Sequence, residues 1–212
     1  MSSPPNLHIA FCDFKAAKYA VTNWHYSRTM PSAPVRFGVW EHGQFIGAVM
    51  YGLGAGNATR GEQYGLAKTH EVAELQRVAL KNGHKTPTSK IIAITIRLLK
   101  KHSPGIRLLI SFADEMAQGH HGGIYQAGNW IYAGKFTGDG GFVINGKKYH
   151  SKSVHSKGWK QSLDWLRKNV DPQAYKLPTL KHRYLYPLDE ELRTRIAPLA
   201  KRYPKRASEA GL

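Results

Sequence analysis

The chain has a single cysteine, Cys12, so no internal disulfide can form, and neither a Cys₄ nor a Cys₂His₂ zinc centre can be built. Acidic residues are scarce, with 14 Asp and Glu against 31 Lys and Arg, for a formal charge of +17. Repulsion on that scale opposes compaction and commonly serves a polyanionic partner. Nucleic acid comes first, because phosphate contacts dominate its affinity for proteins. A ribosome-associated or membrane-surface role is the other reading. No apolar run approaches the length of a membrane span. Met1-Ser2-Ser3-Pro4-Pro5 has neither a basic flank nor an apolar core, so no signal peptide is expected and the cytoplasm is the expected location. Internal repeats, a Walker loop, a helix-turn-helix and a zinc finger are all missing.

What remains is a globular composition, 42% hydrophobic over 212 residues, enough for a sizeable core. Leu7 to Phe11 reads as a strand, followed by a helix capped by Asp13 and running to about Trp24. Val35–Trp40 and Phe45–Tyr51 read as a hairpin turning at His42-Gly43. A flexible glycine-rich loop is expected over residues 52–57, then a long loop to residue 70. Glu71 to Leu80 favours a strand over a helix. A helix capped by Thr86 is expected from Thr86-Pro87 to about His102, with Ile91, Ile92, Thr95, Ile96, Leu98 and Leu99 on its apolar face. Ile106 to Phe112 reads as a buried parallel strand. A short helix follows from about Gly123 to Asn129, then strand material from Phe142 to Tyr149 and a helix over Gln161–Asn169. The expected class is a mixed α/β sheet. Residues 1–150 form its core, and residues 151–212 form a basic, aromatic-rich extension packed on it, disordered from about residue 200.

Five stretches carry candidate chemistry. Asn82 to Lys90 combines glycine, hydroxyls and lysines at a helix start, where free amides and the helix dipole favour a phosphate or pyrophosphate. An ordinary capped helix with solvated lysines reads equally well. Asp114, beside Glu115, ends a buried strand, where open α/β sheets place ligands. It would orient or deprotonate an amine, or merely cap a loop. Trp24-His25-Tyr26-Ser27 offers an imidazole and a phenol. Gly119 to Trp130 concentrates His120, His121, Tyr125, Asn129 and Trp130 with little aliphatic bulk. With His25 and Asp114, His120 and His121 give enough N and O ligands for an iron-type site. Finally, about half of all Lys and Arg fall from Lys147 onward, interleaved with Trp159, Trp165, Tyr175, Tyr184 and Tyr186. Lysines there would meet phosphates while aromatics stack on a base, or the aromatics pack on the core.

Trp24-His25-Tyr26-Ser27 with Pro31, Glu74-Leu75-Gln76-Arg77-Val78-Ala79-Leu80, and Ser111-Phe112-Ala113-Asp114 followed by Gly119, His120, Gly122, Ile124, Tyr125, Gln126, Ala127, Asn129 and Trp130 together resemble the phage Mom DNA-modification family. The likeness runs in order over roughly residues 7–190. It implies a GNAT acyltransferase-like fold and an enzyme that converts adenine in phage DNA to its N6-carbamoylmethyl form, against host restriction. It implies catalytic roles for His25, Tyr26, Arg77 and Asp114. Acetyl-CoA or a related acyl-CoA would be held by Val78, Leu80, Gly83, Lys85, Thr86, Thr88 and Ser89, although no Gln/Arg-x-x-Gly-x-Gly/Ala signature follows that strand. The extruded adenine of double-stranded DNA would meet Ser27, Tyr125, Asn129, Trp130 and Tyr149. A homodimer is compatible with the reading. Its rivals are an N-acetyltransferase acting on a protein or small amine, and a DNA-binding protein without activity.

Overall fold

The strands and helices follow from local chemistry that is plain in the first half of the chain. The computed structural model describes residues 6–54, 59–115, 119, 121–137, 140–149, 151–177 and 179–204. Strand β1 (Leu7–Phe11) leads into helix α1 (Phe14–Trp24), where Asp13 Oδ1 accepts the Ala16 amide at 2.7 Å and closes the first turn. Strands β2 (Val35–Glu41) and β3 (Gln44–Gly52) form a hairpin. His42 and Gly43 make its turn with φ of 48° and 76°, the paired positive angles that match the twist of the flanking strands. Of the loop expected over 52–57, residues 55–57 lie outside the described set. The stretch that follows carries short 3₁₀ turns at Gly61–Tyr64 and Thr69–Glu71.

Strand β4 (Val72–Leu80) is a strand, the reading favoured for Glu71–Leu80. Helix α2 (Thr88–His102) starts one residue later than expected, with Pro87 in place of Thr86 as its cap position and no side-chain cap. Helix α2 buries Ile91, Ile92, Thr95, Ile96 and Leu99. Thr95 gives its hydroxyl proton to the Ile92 carbonyl at 2.8 Å, so Tyr51 donates to Thr95 at 2.7 Å. Strand β5 (Leu108–Asp114) runs parallel to β4. Strands β6 (Ile131–Thr137), β7 (Phe142–Ile144), β8 (Lys147–Tyr149), β9 (Tyr175–Lys176) and β10 (Leu180–Pro187) complete the sheets. The order is β1-β2-β3-β4-β5-β10-β6 in the large sheet and β8-β7-β9 in the small one.

The chain divides into two compact units, and the boundary is not at residue 150. One unit holds residues 1–112, 122–134 and 183–212, and the other holds 113–121 and 135–182. The first unit has a core of Tyr64, Leu66, Val72, Leu108, Ile110, Leu185, Leu192 and Ile196 beneath the sheet, and a second cluster where α1 packs Ala17, Ala20 and Val21 against Ala48, Met50 and Ala79. The second unit has its own core of Phe142, Ile144, Val154, Leu166 and Ala174. Its helix Leu163–Asn169 begins two residues inside the expected Gln161 because the Ser162 hydroxyl accepts the Trp165 amide. Residues 183–204 belong to the first unit rather than to an extension. Residues 200–204 are tied down, with the Lys201 amide donating to the Tyr132 carbonyl at 2.8 Å and the Tyr203 hydroxyl to the Trp130 carbonyl at 2.7 Å. The expected disorder from residue 200 does not hold there, and residues from 205 on lie outside the described set. Among the described residues no helix is long and apolar enough to cross a membrane.

One polar contact anchors the end of β10. Arg107 Nε and Nη2 donate to the two oxygens of Asp189 at 2.8 and 2.9 Å, and Asp189 also accepts the Leu192 amide to cap helix Glu190–Ile196. Hydrogen bonds from Arg107, opposed in part by burial, hold the Asp189 carboxyl down at about 2. Asp189→Ala is expected to cost about 2 kcal/mol, combining a lost cap and a solvent-screened ion pair. The folded value lies below the unfolded one of about 3.9. The contribution is therefore complete above about pH 4 and fades as the pH falls towards 2. Urea midpoints of the two proteins should converge at low pH. An equal gap at pH 6 and pH 2 would contradict the ion pair.

Candidate functional site

The first unit groups several of the expected residues where β4 and β5 part. The two strands pair over only three positions, Val72–Glu74 against Leu108–Ile110. Between β3 and β4 the register slips from Tyr51↔Leu75 to Met50↔Arg77, leaving Gln76 as the extra residue of a bulge. A bulge re-aims the side chains beside it, and bulges collect next to active sites. Here it presents Glu74, Gln76 and Arg77. Gln76 Nε2 donates to the Leu53 carbonyl at 3.0 Å, and Arg77 Nη1 to the Gln76 carbonyl at 2.7 Å. Gln76 Oε1 and Arg77 Nε are buried and have no hydrogen-bond partner among the described residues. A buried polar atom without a partner costs on the order of 1–3 kcal/mol, which a ligand would recover. Burial lowers the Arg77 pKa, while Tyr26, Glu74 and Tyr125 raise it by their proximity. A guanidinium stays charged under such a shift.

The end of α1 supplies the other side of the group. His25 is the C-cap residue, and its Nδ1 accepts the Ser27 amide at 3.1 Å and lies 2.9 Å from Ser27 Oγ. An Nδ1 that accepts a backbone amide leaves the ring proton on Nε2. In this arrangement His25 is a hydrogen-bond donor at Nε2. The Tyr26 ring stacks on it at 4.4 Å and is 48% exposed. Tyr26 is thus the accessible aromatic of the group.

Tyr125 and Trp130 are not accessible. They are 7% and 1% exposed, packed against each other at 5.2 Å, with Tyr125 also 5.0 Å from Tyr184. Neither can serve as the expected platform for a base. Ser111 gives its hydroxyl proton to the Leu75 carbonyl at 2.9 Å, so Tyr125 donates its own to Ser111 at 2.8 Å. Burial pushes the Tyr125 phenol up to about 12, and it stays protonated as that donor. Ser111 therefore ties β5 to β4 where the strands begin to part, and Tyr125 donates to it. Asn129 is exposed with φ of 57° and serves the turn into Trp130. Tyr149 belongs to the second unit, where its ring meets Trp159 at 5.8 Å and Lys157 lies over both rings. Asp114, at the end of β5, also falls in the second unit.

The loop between β4 and α2 departs from expectation. The Lys85 and Thr86 amides donate to the two carboxylate oxygens of Glu41 at 3.0 and 2.7 Å. Burial raises the Glu41 carboxyl, but the hydrogen bonds from Thr86 and Lys85 outweigh it and hold the group below its ordinary range. An ionised carboxylate already occupies these two donors, so they do not fit a pyrophosphate. His84 Nδ1 donates to the Thr86 carbonyl at 2.8 Å, which further fixes the loop. Gly83, with φ of 82° and open space around it, and Thr88 and Ser89 in the first turn of α2 stay clear of the Glu41 contact. Val78 and Leu80 pair with Val49 and Gly47 of β3.

The expected metal set does not assemble either. Among the described residues, the His, Cys, Asp and Glu side chains that gather in a group of three are Glu115, His121 and His182. His25 and Asp114 are not members, and His120 lies outside the described residues. Glu74, Gln76 and His182 are not legible as site residues in the sequence, and Glu115 stands out there only beside Asp114. The polar pair Glu74 and Gln76, on either side of Leu75 in a mostly apolar strand, is the available signal for the first two.

A model of the Mom protein family matches residues 6–205. No curated protein matches the chain by sequence. Solved acetyltransferases match it by shape. A protein of Acinetobacter baylyi ADP1 assigned as an acetyltransferase aligns with a TM-score of 0.51 and 11% identity, over 96% of this chain and all 100% of its own. An N-acetyltransferase from Staphylococcus aureus Mu50 has a TM-score of 0.48 and 12% identity over 86% and 97%. A Bacillus subtilis acetyltransferase solved with CoA has 0.48 and 10% over 88% and 100%. At such identities the likeness concerns the fold alone. The mixed sheet with its antiparallel β1–β4 and parallel β4–β5 is that of the GNAT N-acetyltransferases, as the sequence resemblance implied.

Proposed function

The chain belongs to the Mom protein family, and from that premise we propose that it modifies adenine in double-stranded phage DNA, converting the exocyclic amine to its N6-carbamoylmethyl form. The observation that carries this reading is the exposed Tyr26 ring, stacked on His25, beside an Arg77 whose buried Nε has no hydrogen-bond partner among the described residues. Adenine N6 is hidden in the duplex, so the base must leave the stack to react. Tyr26 offers an exposed π-face to the extruded base. Arg77 offers a fixed positive donor to a phosphate or to the donor group. His25 donates from Nε2 to an acceptor on the purine edge, and Ser27 holds the imidazole in that state. Glu74, in the same unit, is the carboxylate available to take the proton from N6. The charge of +17 draws the polyanion to the enzyme, at a rate that falls with salt.

An acyl-CoA, the ligand class that the fold implies, would supply an activated acyl group, whereas the carbamoylmethyl group is joined to N6 through a methylene, so acyl transfer alone does not give that product. Gly83, Thr88, Ser89 and the β4 positions Val78 and Leu80 are the residues left to hold the acyl-CoA, because the Lys85 and Thr86 amides are engaged by Glu41. Expression of the chain in bacteria should yield plasmid DNA whose digested nucleosides include a heavier deoxyadenosine, and plasmid that resists restriction enzymes with adenine in their sites. The mass gain separates a carbamoylmethyl adduct from an acetyl adduct. Unaltered nucleosides, with acetylation of a protein or small amine in the same cells, would replace this reading with that of an ordinary N-acetyltransferase.

A further inference from the structure

Within the second unit, three potential ligand side chains converge from distant parts of the chain. Glu115 follows β5, His121 lies six residues further on, and His182 sits in β10. One ligand atom from each lies within 4.8 Å of the others. Glu115 Oε2 is 2.9 Å from His182 Nε2 and 2.9 Å from Lys135 Nζ. The His121 and His182 rings stand nearly perpendicular, at 78° with centroids 5.5 Å apart. His182 is completely buried, whereas Glu115 keeps a quarter of its side chain exposed. A cation could therefore reach the carboxylate from solvent while one imidazole is locked in place.

We propose that Glu115, His121 and His182 form a binding site for one divalent first-row transition ion. Two imidazoles and a carboxylate are the donor set that such ions take, whereas calcium and magnesium prefer all-oxygen shells. The distances suit the site in its metal-free state. Two ligand atoms across one ion stand at most about 4.2 Å apart, given bonds of about 2.1 Å. The observed span of 4.8 Å needs a contraction of only about half an ångström. His182 would pass its Nε2 proton to Nδ1 as the metal takes its place. Lys135 is the group that opposes binding, and its 45% exposure lets the ammonium turn out to solvent. The ion would tie the end of β5 to β10 and to the His121 segment, and it stands independently of the adenine chemistry proposed above.

Cobalt(II) is the direct probe, because its visible d–d absorption reports low-coordinate nitrogen and oxygen ligation. Titration of the untagged full chain should show one Co²⁺ per molecule in such a band, displaced by one equivalent of Zn²⁺. His121→Asn and Glu115→Gln, both at partly exposed positions, should each weaken binding by more than about tenfold, since the loss of even an outer-shell partner does as much. Lys135→Met should strengthen it several-fold by removing the competing charge. That gain separates a metal site from a plain salt-bridge network, which Lys135→Met would only weaken. Absence of a stoichiometric band overturns the proposal. So does wild-type affinity in His121→Asn, or weaker binding in Lys135→Met.

Discussion

Arg77→Leu should lower adenine modification by roughly 10- to 100-fold while the protein stays folded. A charge-assisted contact contributes about 1.5–3 kcal/mol, and each 1.4 kcal/mol is tenfold in rate or affinity. Arg77 holds its charge in a half-buried setting at the β4 bulge, where its Nε lacks a hydrogen-bond partner among the described residues. Leucine fills much of the same space, and replacing a buried charge by an apolar group is often close to neutral for stability. Arg77→Lys keeps the charge but loses the planar fork, so its activity should fall between the two. Nucleoside mass spectrometry of plasmid DNA, with melting temperatures of each variant, separates the effects. Wild-type modification in Arg77→Leu would remove Arg77 from the site and with it the proposed use of the bulge.

Much of the first unit could be read from the chain because its elements announce themselves locally. Asp13 before an apolar helical stripe, His42-Gly43 between alternating strands, and Pro87 ahead of α2 each act within a few residues. Strand β10 shows the opposite. Leu180-Lys181-His182-Arg183-Tyr184-Leu185-Tyr186-Pro187 looks like a solvated basic run, and it reads as part of an extension. In the fold it lies between β5 and β6, and His182, Tyr184 and Leu185 are buried. Long Lys and Arg stems reach solvent from a strand whose alternate residues are core. The site divides the same way. His25, Tyr26 and Arg77 stood out by their motifs. The binding of Lys85 and Thr86 by Glu41, and the meeting of Glu115 with His182, join residues more than forty positions apart. No local spacing reveals such pairs.

The aromatic residues of the Gly119–Trp130 stretch invite a final distinction, between platform and core. Trp130→Ala should destabilise the protein by about 3–5 kcal/mol, the usual cost of emptying a buried aromatic site. For a chain of this size the melting temperature should fall by about 10 °C. Trp130 packs on Tyr125 and on Tyr186, both at 5.2 Å, and its carbonyl receives the Tyr203 hydroxyl. Gly122 belongs to the same cluster. At φ of 79° it sits where an added Cβ would come within 2.3 Å of the Tyr184 ring. Even alanine there must strain the backbone and displace the ring. The glycine at position 122 is thus a packing requirement. Tyr26→Ala should behave in the reverse manner. Its ring is exposed, so stability should hardly change, while loss of base stacking, about 1–3 kcal/mol, should cost tenfold to a hundredfold in modification. Were Trp130→Ala to melt like the wild type yet fail to modify DNA, Trp130 would be a surface that touches the base, and the division between Tyr26 and the buried aromatics would have to be redrawn.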